Sequence, residues 1–146
     1  MSDFYVKPGD SVSFAKTVSE SDVYLFAGIT GDLAPNHVDE AFMRKSAYGR
    51  RISHGVLLMG FMSTTSSRMI EKALDIGANE TPVSLGYDRV RFLAGVGIGE
   101  TITVTYTIKS IDSDKRRSVS KVVVTNEAGK EVAVAEHILK WVKNPG

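Results

Sequence analysis

Gly55-Val56-Leu57-Leu58-Met59-Gly60-Phe61-Met62 is the stretch that decides the fold. Read as a helix, it places apolar side chains on every side, and a helix that is apolar all round is predicted to be buried. The helix is expected to continue to Leu74 and to become more polar along its second half. No other helix that the sequence predicts is both long and apolar enough to cover a sheet.

The residues after this helix change to a period of two, which is typical of strands. In Thr101–Ile108, four apolar side chains alternate with threonines and therefore share one face. Asn126-Glu127-Ala128-Gly129 has the composition of a hairpin turn. Further strands are predicted at Ser11–Val18, Val83–Phe92, Ser118–Thr125 and Glu131–Val142. The pattern indicates an α+β protein, in which an antiparallel sheet of about five strands packs against the helix.

Two shorter helices are predicted before the long one. Ser19-Glu20-Ser21-Asp22 resembles a capping box, and the helix that it opens is expected to end near Gly28. Asp39 is expected to cap a second helix over Glu40–Ala47. The residues between these helices are predicted to form a loop.

Length and composition limit the class of protein. The 146 residues suit one domain, 1–146, and no composition shift marks a boundary. The absence of cysteine excludes disulfides, thiolate zinc sites and a catalytic thiol. A net charge of +1 does not favour a nucleic-acid partner, and the apolar runs are too short for a membrane span. The first ten residues lack the apolar core of a secretory signal, so a cytoplasmic location is expected.

Chemically capable residues are concentrated in two short segments. Asp32 and His37 lie in one loop that Pro35 stiffens, and a carboxylate and an imidazole brought together can hold a water and move its protons. Gly55 offers a bare backbone N–H where the long helix begins, and the helix dipole adds partial positive charge there. These are the parts of a site that polarises a carbonyl and adds or removes water.

Each of these residues also has a structural interpretation. Asp32 alone is more often a turn or capping residue, a loop histidine is usually structural or solvated, and Gly55 can serve helix packing. The spacing of Asp32, His37 and His54 matches no strong metal signature, so no metal site is predicted. His137 and Trp141 share one face of the last strand and are interpreted as sheet packing.

Three segments together resemble a known family, the MaoC-like dehydratases or (R)-specific enoyl-CoA hydratases. They are Phe26-Ala27-Gly28-Ile29-Thr30-Gly31-Asp32-Leu33-Ala34-Pro35-Asn36-His37-Val38-Asp39, Ile52-Ser53-His54-Gly55-Val56-Leu57-Leu58 and Val90-Arg91-Phe92-Leu93-Ala94-Gly95-Val96-Gly97-Ile98-Gly99-Glu100. The order and spacing of the three segments are similar to those of the family over residues 10–142. The resemblance implies a hot-dog fold, in which a curved antiparallel sheet wraps around a long central helix.

The resemblance also implies a reaction, the reversible hydration of a trans-2-enoyl-CoA to the (R)-3-hydroxyacyl-CoA. Asp32 and His37 would be the catalytic pair and Gly55 the oxyanion-hole donor. No metal or prosthetic group is expected, since coenzyme A arrives as part of the substrate. A homodimer or a dimer of dimers is expected. Residues predicted to contact the substrate are Ala34, Asn36, Ser53, His54 and Phe61, while Lys45, Arg50 and Arg51 are candidates for meeting the coenzyme's phosphates.

One position departs from the family pattern. Ala34 stands where the family usually has an asparagine, two residues after the catalytic aspartate. The missing amide could have held the water or the loop, so the departure bears on rate and substrate class. Two alternatives therefore stay open: a hot-dog acyl-CoA thioesterase, and a non-catalytic subunit that binds acyl thioesters.

Overall fold

The computed structural model describes residues 4–74 and 79–146. Five strands form one antiparallel sheet in the order β1-β3-β4-β5-β2. The strands are β1 (Ser11–Thr17), β2 (Glu80–Phe92), β3 (Thr101–Asp112), β4 (Arg117–Thr125) and β5 (Glu131–Lys143). The helices are α1 (Glu20–Thr30), α2 (Pro35–Val38), α3 (Glu40–Met43) and α4 (Gly55–Leu74). The predicted α+β class and the predicted long helix are confirmed.

The inner face of the sheet carries the core, as the alternation in β3 predicts. Ile102, Val104, Tyr106 and Ile108 are buried, while the threonines between them point away. On β4, Val124 pairs with Val104 and Val122 with Tyr106, so apolar side chains align across the strands. From α4, Leu58 and Met62 pack into this core.

The start of α4 is less buried than the sequence predicts. Val56 is 56% exposed and Gly60 is exposed as well, although Leu58 and Met62 are almost inaccessible. The expectation of burial on all sides is wrong for this chain, because α4 packs on one face of a single sheet, mainly against β1 and β3. Over residues 4–74 and 79–146, no helix is long and apolar enough to cross a membrane.

The short helices differ from prediction at their ends. Ser19 and Asp22 form the predicted capping box, but α1 continues past Gly28 to Thr30. The helix ends there because Gly31 takes the left-handed conformation, with φ of 81°, and its N–H donates to the Ala27 carbonyl. Asp39 caps α3 as predicted, although α3 is one turn long and not the expected Glu40–Ala47.

A buried polar cluster joins residues of β2, β3 and β5. His137 on β5 bonds Tyr106 Oη through Nδ1 and Ser84 Oγ through Nε2, both at 2.7 Å. Its ring also stacks on Tyr87, with 4.4 Å between centroids. Burial lowers the pKa of His137 to about 4, so the imidazole is neutral near physiological pH. Trp141 is buried against Phe4 and Tyr5. Their burial agrees with the packing role predicted for His137 and Trp141.

Candidate active site

The segment between α1 and α3 carries the predicted acid–base pair. Pro35 starts α2, whose first turn suits the fixed φ of proline. The prediction of a continuous loop is therefore wrong over Pro35–Val38, and this single turn directs His37 inward. His37 is buried, whereas the side chain of Asp32 is 52% exposed. The turn thus places a ring nitrogen of His37 within 4.8 Å of the Asp32 carboxylate.

Backbone contacts set the tautomer of His37. Its Nδ1 lies 2.8 Å from the carbonyl oxygen of Ile52. A carbonyl only accepts hydrogen bonds, so Nδ1 carries the proton and donates. Nε2 of the neutral ring then keeps its lone pair, and it has no hydrogen-bond partner among the residues that the structure describes. His37 lines a cavity, where this nitrogen can exchange a proton with a water.

His54 lies directly behind the pair. Its Nε2 is 2.9 Å from the main-chain oxygen of Asp32 and 4.0 Å from Asp32 Oδ2. Its ring stacks on His37, with 3.7 Å between centroids and 27° between planes. The Asp32 carboxylate and one ring nitrogen from each histidine lie within 4.8 Å of one another. A water bonded to two groups at about 2.8 Å spans about 4.6 Å, so one water fits between Asp32 and His37.

Gly55 begins α4 beside this pair. Its N–H belongs to the first turn, where helix N–H groups lack intrahelical partners. A Cβ on Gly55 would lie 2.8 Å from Phe92 Cδ2 and 2.8 Å from Phe92 Cγ, which is closer than real Cβ contacts. The Phe92 ring, itself 47% exposed, therefore lies over the start of the helix. Only glycine lets the ring and the helix approach this closely.

A cavity of about 340 Å³ joins these groups. Of the predicted residues, it is lined by Asp32, Asn36, His37, Ser53, His54 and Gly55. Ala34 is not part of the lining, and its N–H donates to Asp32 Oδ1 at 3.3 Å. Phe61 is not brought to this cavity either, because its ring packs toward Phe14.

Several lining residues were missed by the sequence prediction. They are Tyr48, Ile52, Val56, Leu58 and the run Phe92–Val96. The run lies in the third segment that resembles the family, which is the signal that could have found it. Tyr48 carries no such signal, because its place depends on how the residues after α3 fold back.

The basic residues near the cavity already hold carboxylates. Arg51 bonds Glu20 at 2.5 Å and Glu40 at 3.1 Å, and Arg50 bonds Glu100 at 2.9 Å. Glu20 is the largest influence on the Arg51 pKa, which is raised. Arg51 thus fastens α1 to α3 across the back of the site. Lys45 lies on a separate shallow surface with Phe42 and Ser46.

Asp32, His37 and His54 are residue types that can bind a metal ion, and they lie close together. His54 Nε2 donates its proton to a carbonyl, so Nδ1 is the nitrogen of this ring that keeps a lone pair, and it is buried. The two rings lie face to face, so their in-plane lone pairs do not converge on one point. The geometry fits proton transfer better than metal coordination.

Comparisons with known proteins show the family to which the chain belongs. The protein-family model described as the MaoC like domain matches residues 3–132 of this chain. The (R)-specific enoyl-CoA hydratase of Rhodospirillum rubrum is 36% identical over 131 residues, covering 90% of this chain and 85% of that protein. The 3-hydroxybutyryl-CoA dehydratase of Methylorubrum extorquens is 29% identical over 119 residues, covering 82% and 69%.

The solved structures agree on the fold. The (R)-hydratase from A. caviae involved in PHA biosynthesis superposes with a TM-score of 0.81 at 22% identity, covering 96% of this chain and 98% of that one. The predicted hot-dog fold is thereby confirmed. With a family model matching most of its length and a relative above 30% identity, the chain belongs to the MaoC-like family.

Proposed function

We propose that this chain catalyses the reversible hydration of a trans-2-enoyl-CoA to the (R)-3-hydroxyacyl-CoA. The observation that carries the proposal is the placement of Asp32 and His37 within one water's width, facing a cavity at the start of α4. The names of the relatives support the same reaction class, which is that of a hydro-lyase.

In the hydration direction, a water lies between Asp32 and His37. One of the pair takes a proton as the water oxygen attacks Cβ, and a proton is delivered to Cα. One O–H bond of water and the Cα–Cβ π bond are broken, while a C–O bond and a C–H bond form. Since His37 Nε2 is left with its lone pair, this nitrogen is ready to accept a proton. The pair regains its original protonation state at the end of the cycle.

The thioester oxygen becomes negatively charged as Cβ is attacked. The Gly55 N–H, at the positive end of the α4 dipole, is the proposed donor to this oxygen. The Phe92 ring lies 2.8 Å from the place of a Gly55 Cβ and is half exposed, and it is proposed to turn aside when the thioester binds. Asn36, Ser53 and His54 line the remaining cavity beside the reacting carbons. Coenzyme A enters as part of the substrate, and no prosthetic group is required.

The chain is proposed to act as a homodimer. β2 is a thirteen-residue strand at the edge of the sheet, with Val83 and Leu85 exposed along it. A long apolar edge is normally covered, because unpaired strands associate with other chains. The exposed Val56 at the cavity mouth is a second apolar group that a partner would cover.

The test is an assay that records two products at once. Purified protein is given crotonyl-CoA, and the enoyl absorbance and the free thiol are followed together. A hydratase removes the enoyl absorbance without releasing thiol. Thiol release at the rate of absorbance loss would show a thioesterase instead, and no reaction with enoyl-CoAs of any chain length would favour a non-catalytic binding subunit.

A further inference from the structure

We infer that His54 is a positioning residue, which holds the main chain of Asp32 and the ring of His37 so that the two meet across one water. This inference rests on the proposed function. It names the residue that keeps Asp32 and His37 at the separation that one water requires. His54 would then act through its neighbours and not as an acid or base.

Residues 30–34, the Asp32 segment, have few other hydrogen bonds to the rest of the fold. Asp32 N–H donates to Thr30 Oγ1 at 3.2 Å, and Leu33 N–H donates to the Gly31 carbonyl at 3.1 Å. The Ala34 N–H donates to Asp32 Oδ1, so these bonds all stay within the segment. Among the described residues, the hydrogen bond that ties Asp32 to a distant element is the one from His54 Nε2. Ala34 offers no side-chain amide that could add another.

The His54 ring itself is held firmly. It is 2% exposed and lies between Phe26, at 4.6 Å, and His37, at 3.7 Å, measured between ring centroids. His54 directly precedes α4, whose early side chains are anchored in the core through Leu58. The residue before a helix that is anchored in the core therefore holds the more exposed Asp32 segment.

An unpaired nitrogen argues against a purely structural role. Because Nε2 donates to the Asp32 carbonyl, Nδ1 of the neutral ring is an acceptor, and it is buried with no partner among the described residues. Leaving a buried acceptor unpaired costs stability, and an aromatic hydrocarbon would fill the same place without that cost. Packing alone therefore does not explain a histidine at this place, whereas the hydrogen bond to Asp32 does.

Three variants of His54 distinguish a positioning role from a packing role. His54→Phe keeps an aromatic ring between Phe26 and His37 but removes the donor. His54→Gln places an amide N–H near the position of Nε2, and His54→Asn carries the same amide on a shorter side chain. We expect His54→Phe to lower kcat about 100-fold with little change in KM and no loss in Tm, as a small misplacement of reacting groups has this effect. His54→Gln should recover most of that loss and His54→Asn should not.

A second measurement does not depend on the reaction. The amides of His37 and Val38 donate to the Ala34 carbonyl, so their hydrogen exchange reports on how firmly the segment is held. Their exchange should be faster in His54→Phe and near the wild-type rate in His54→Gln. If wild-type protein hydrates no enoyl-CoA, the proposed function fails and the exchange rates still decide this inference.

The inference is overturned if His54→Phe keeps kcat within about twofold of wild type, or if exchange at His37 and Val38 is unchanged. Should His54→Phe fail to fold, the Gln and Asn variants decide, since both are polar and differ only in reach. Equal kcat and equal exchange in those two would also overturn it.

Discussion

At Gly55 a single hydrogen atom in place of a side chain controls two contacts. The Phe92 ring rests where a Cβ would be, and the N–H beside it is the proposed donor to the thioester oxygen. We predict that Gly55→Val lowers kcat by about 10²–10³, the usual effect of losing one oxyanion donor. Steady-state kinetics with crotonyl-CoA measure this.

A double variant separates the two contacts. If the loss in Gly55→Val came from collision with Phe92, adding Phe92→Ala would restore activity. If the valine blocks the thioester, Phe92→Ala restores the stability and not the rate. Gly60→Ala is the matched control, because Gly60 is in the same helix with nothing within 4 Å of its added Cβ. A folded Gly55→Val protein with wild-type turnover would mean that the carbonyl binds elsewhere.

The arrangement of the two histidines in the cavity predicts the effect of chelators. The rings of His37 and His54 lie face to face, so their in-plane lone pairs do not converge on one cation. Dialysis against EDTA should leave kcat unchanged, and adding back Zn²⁺ should not raise it. Activity lost on dialysis and recovered with a stoichiometric divalent ion would contradict the proton-transfer mechanism.

At the scale of the elements, the polar cluster between β3, β5 and β2 makes stability depend on pH. The pKa of His137 falls from 6.5 to about 4 on folding, because burial disfavours the charged ring. Below pH 6.5 the unfolded chain therefore binds a proton that the folded chain does not. The contribution is fully present above pH 6.5 and is lost as the pH falls toward 4, amounting to about 2 kcal/mol between pH 7.5 and 5.

Urea unfolding at several pH values tests this contribution. The pKa values of Asp22, Glu80 and Glu136 are lowered, so these groups change the free energy of unfolding mainly below pH 4.5. Between pH 4.5 and 7.5 the change comes mainly from histidine. The free energy of unfolding should fall less steeply between pH 7.5 and 5 in His137→Gln than in wild type. Equal slopes in the two proteins would show that His137 titrates normally.

Local pattern predicted most of the elements, and tertiary contacts explain the differences. The alternation in Thr101–Ile108 was sufficient to predict β3, and the apolar stretch that starts at Gly55 was sufficient to predict α4. Each pattern shows which side chains must be buried. The end of α1 was misplaced at Gly28, since a glycine ends a helix only where the chain turns left-handed, as at Gly31. Val56 was expected to be buried because the pattern does not reveal how many layers cover a helix.

The site was predicted in part for the same reason. Asp32, His37, His54 and Gly55 lie in short motifs, and the fold brings them to one cavity. Tyr48 joins them only through folding of the segment after α3, which no local spacing encodes. Phe61 fits the pattern of a pocket wall equally well, but the turn of α4 directs it toward Phe14. The roles of all these residues in catalysis stay predictions.

At the scale of the whole molecule, exposed apolar side chains predict association. They include Leu25, Ile29, Leu33, Val56, Val83, Leu85 and Leu93. Two of them, Val83 and Leu85, lie on the β2 edge, and an unpaired apolar edge tends to associate with another chain. Sedimentation velocity should show a dimer or a larger even assembly, and Leu85→Lys on the β2 edge should shift it toward monomer. A monomer with full activity at nanomolar concentration would contradict the dimer.

The active cavity also belongs to the whole fold, because α2, α4 and the end of β2 each supply a wall. Catalysis in this cavity requires that Asp32 and His37 act together on one water. The most direct measurement is kcat of crotonyl-CoA hydration for Asp32→Asn, His37→Asn and the double variant, with Tm confirming that each is folded. Each single change should cost about 10²–10⁴, and the double variant should be little worse than either, because groups that act as a unit are not additive. Near-wild-type kcat in one single variant, or multiplied losses in the double variant, would show that Asp32 and His37 do not act together on one water.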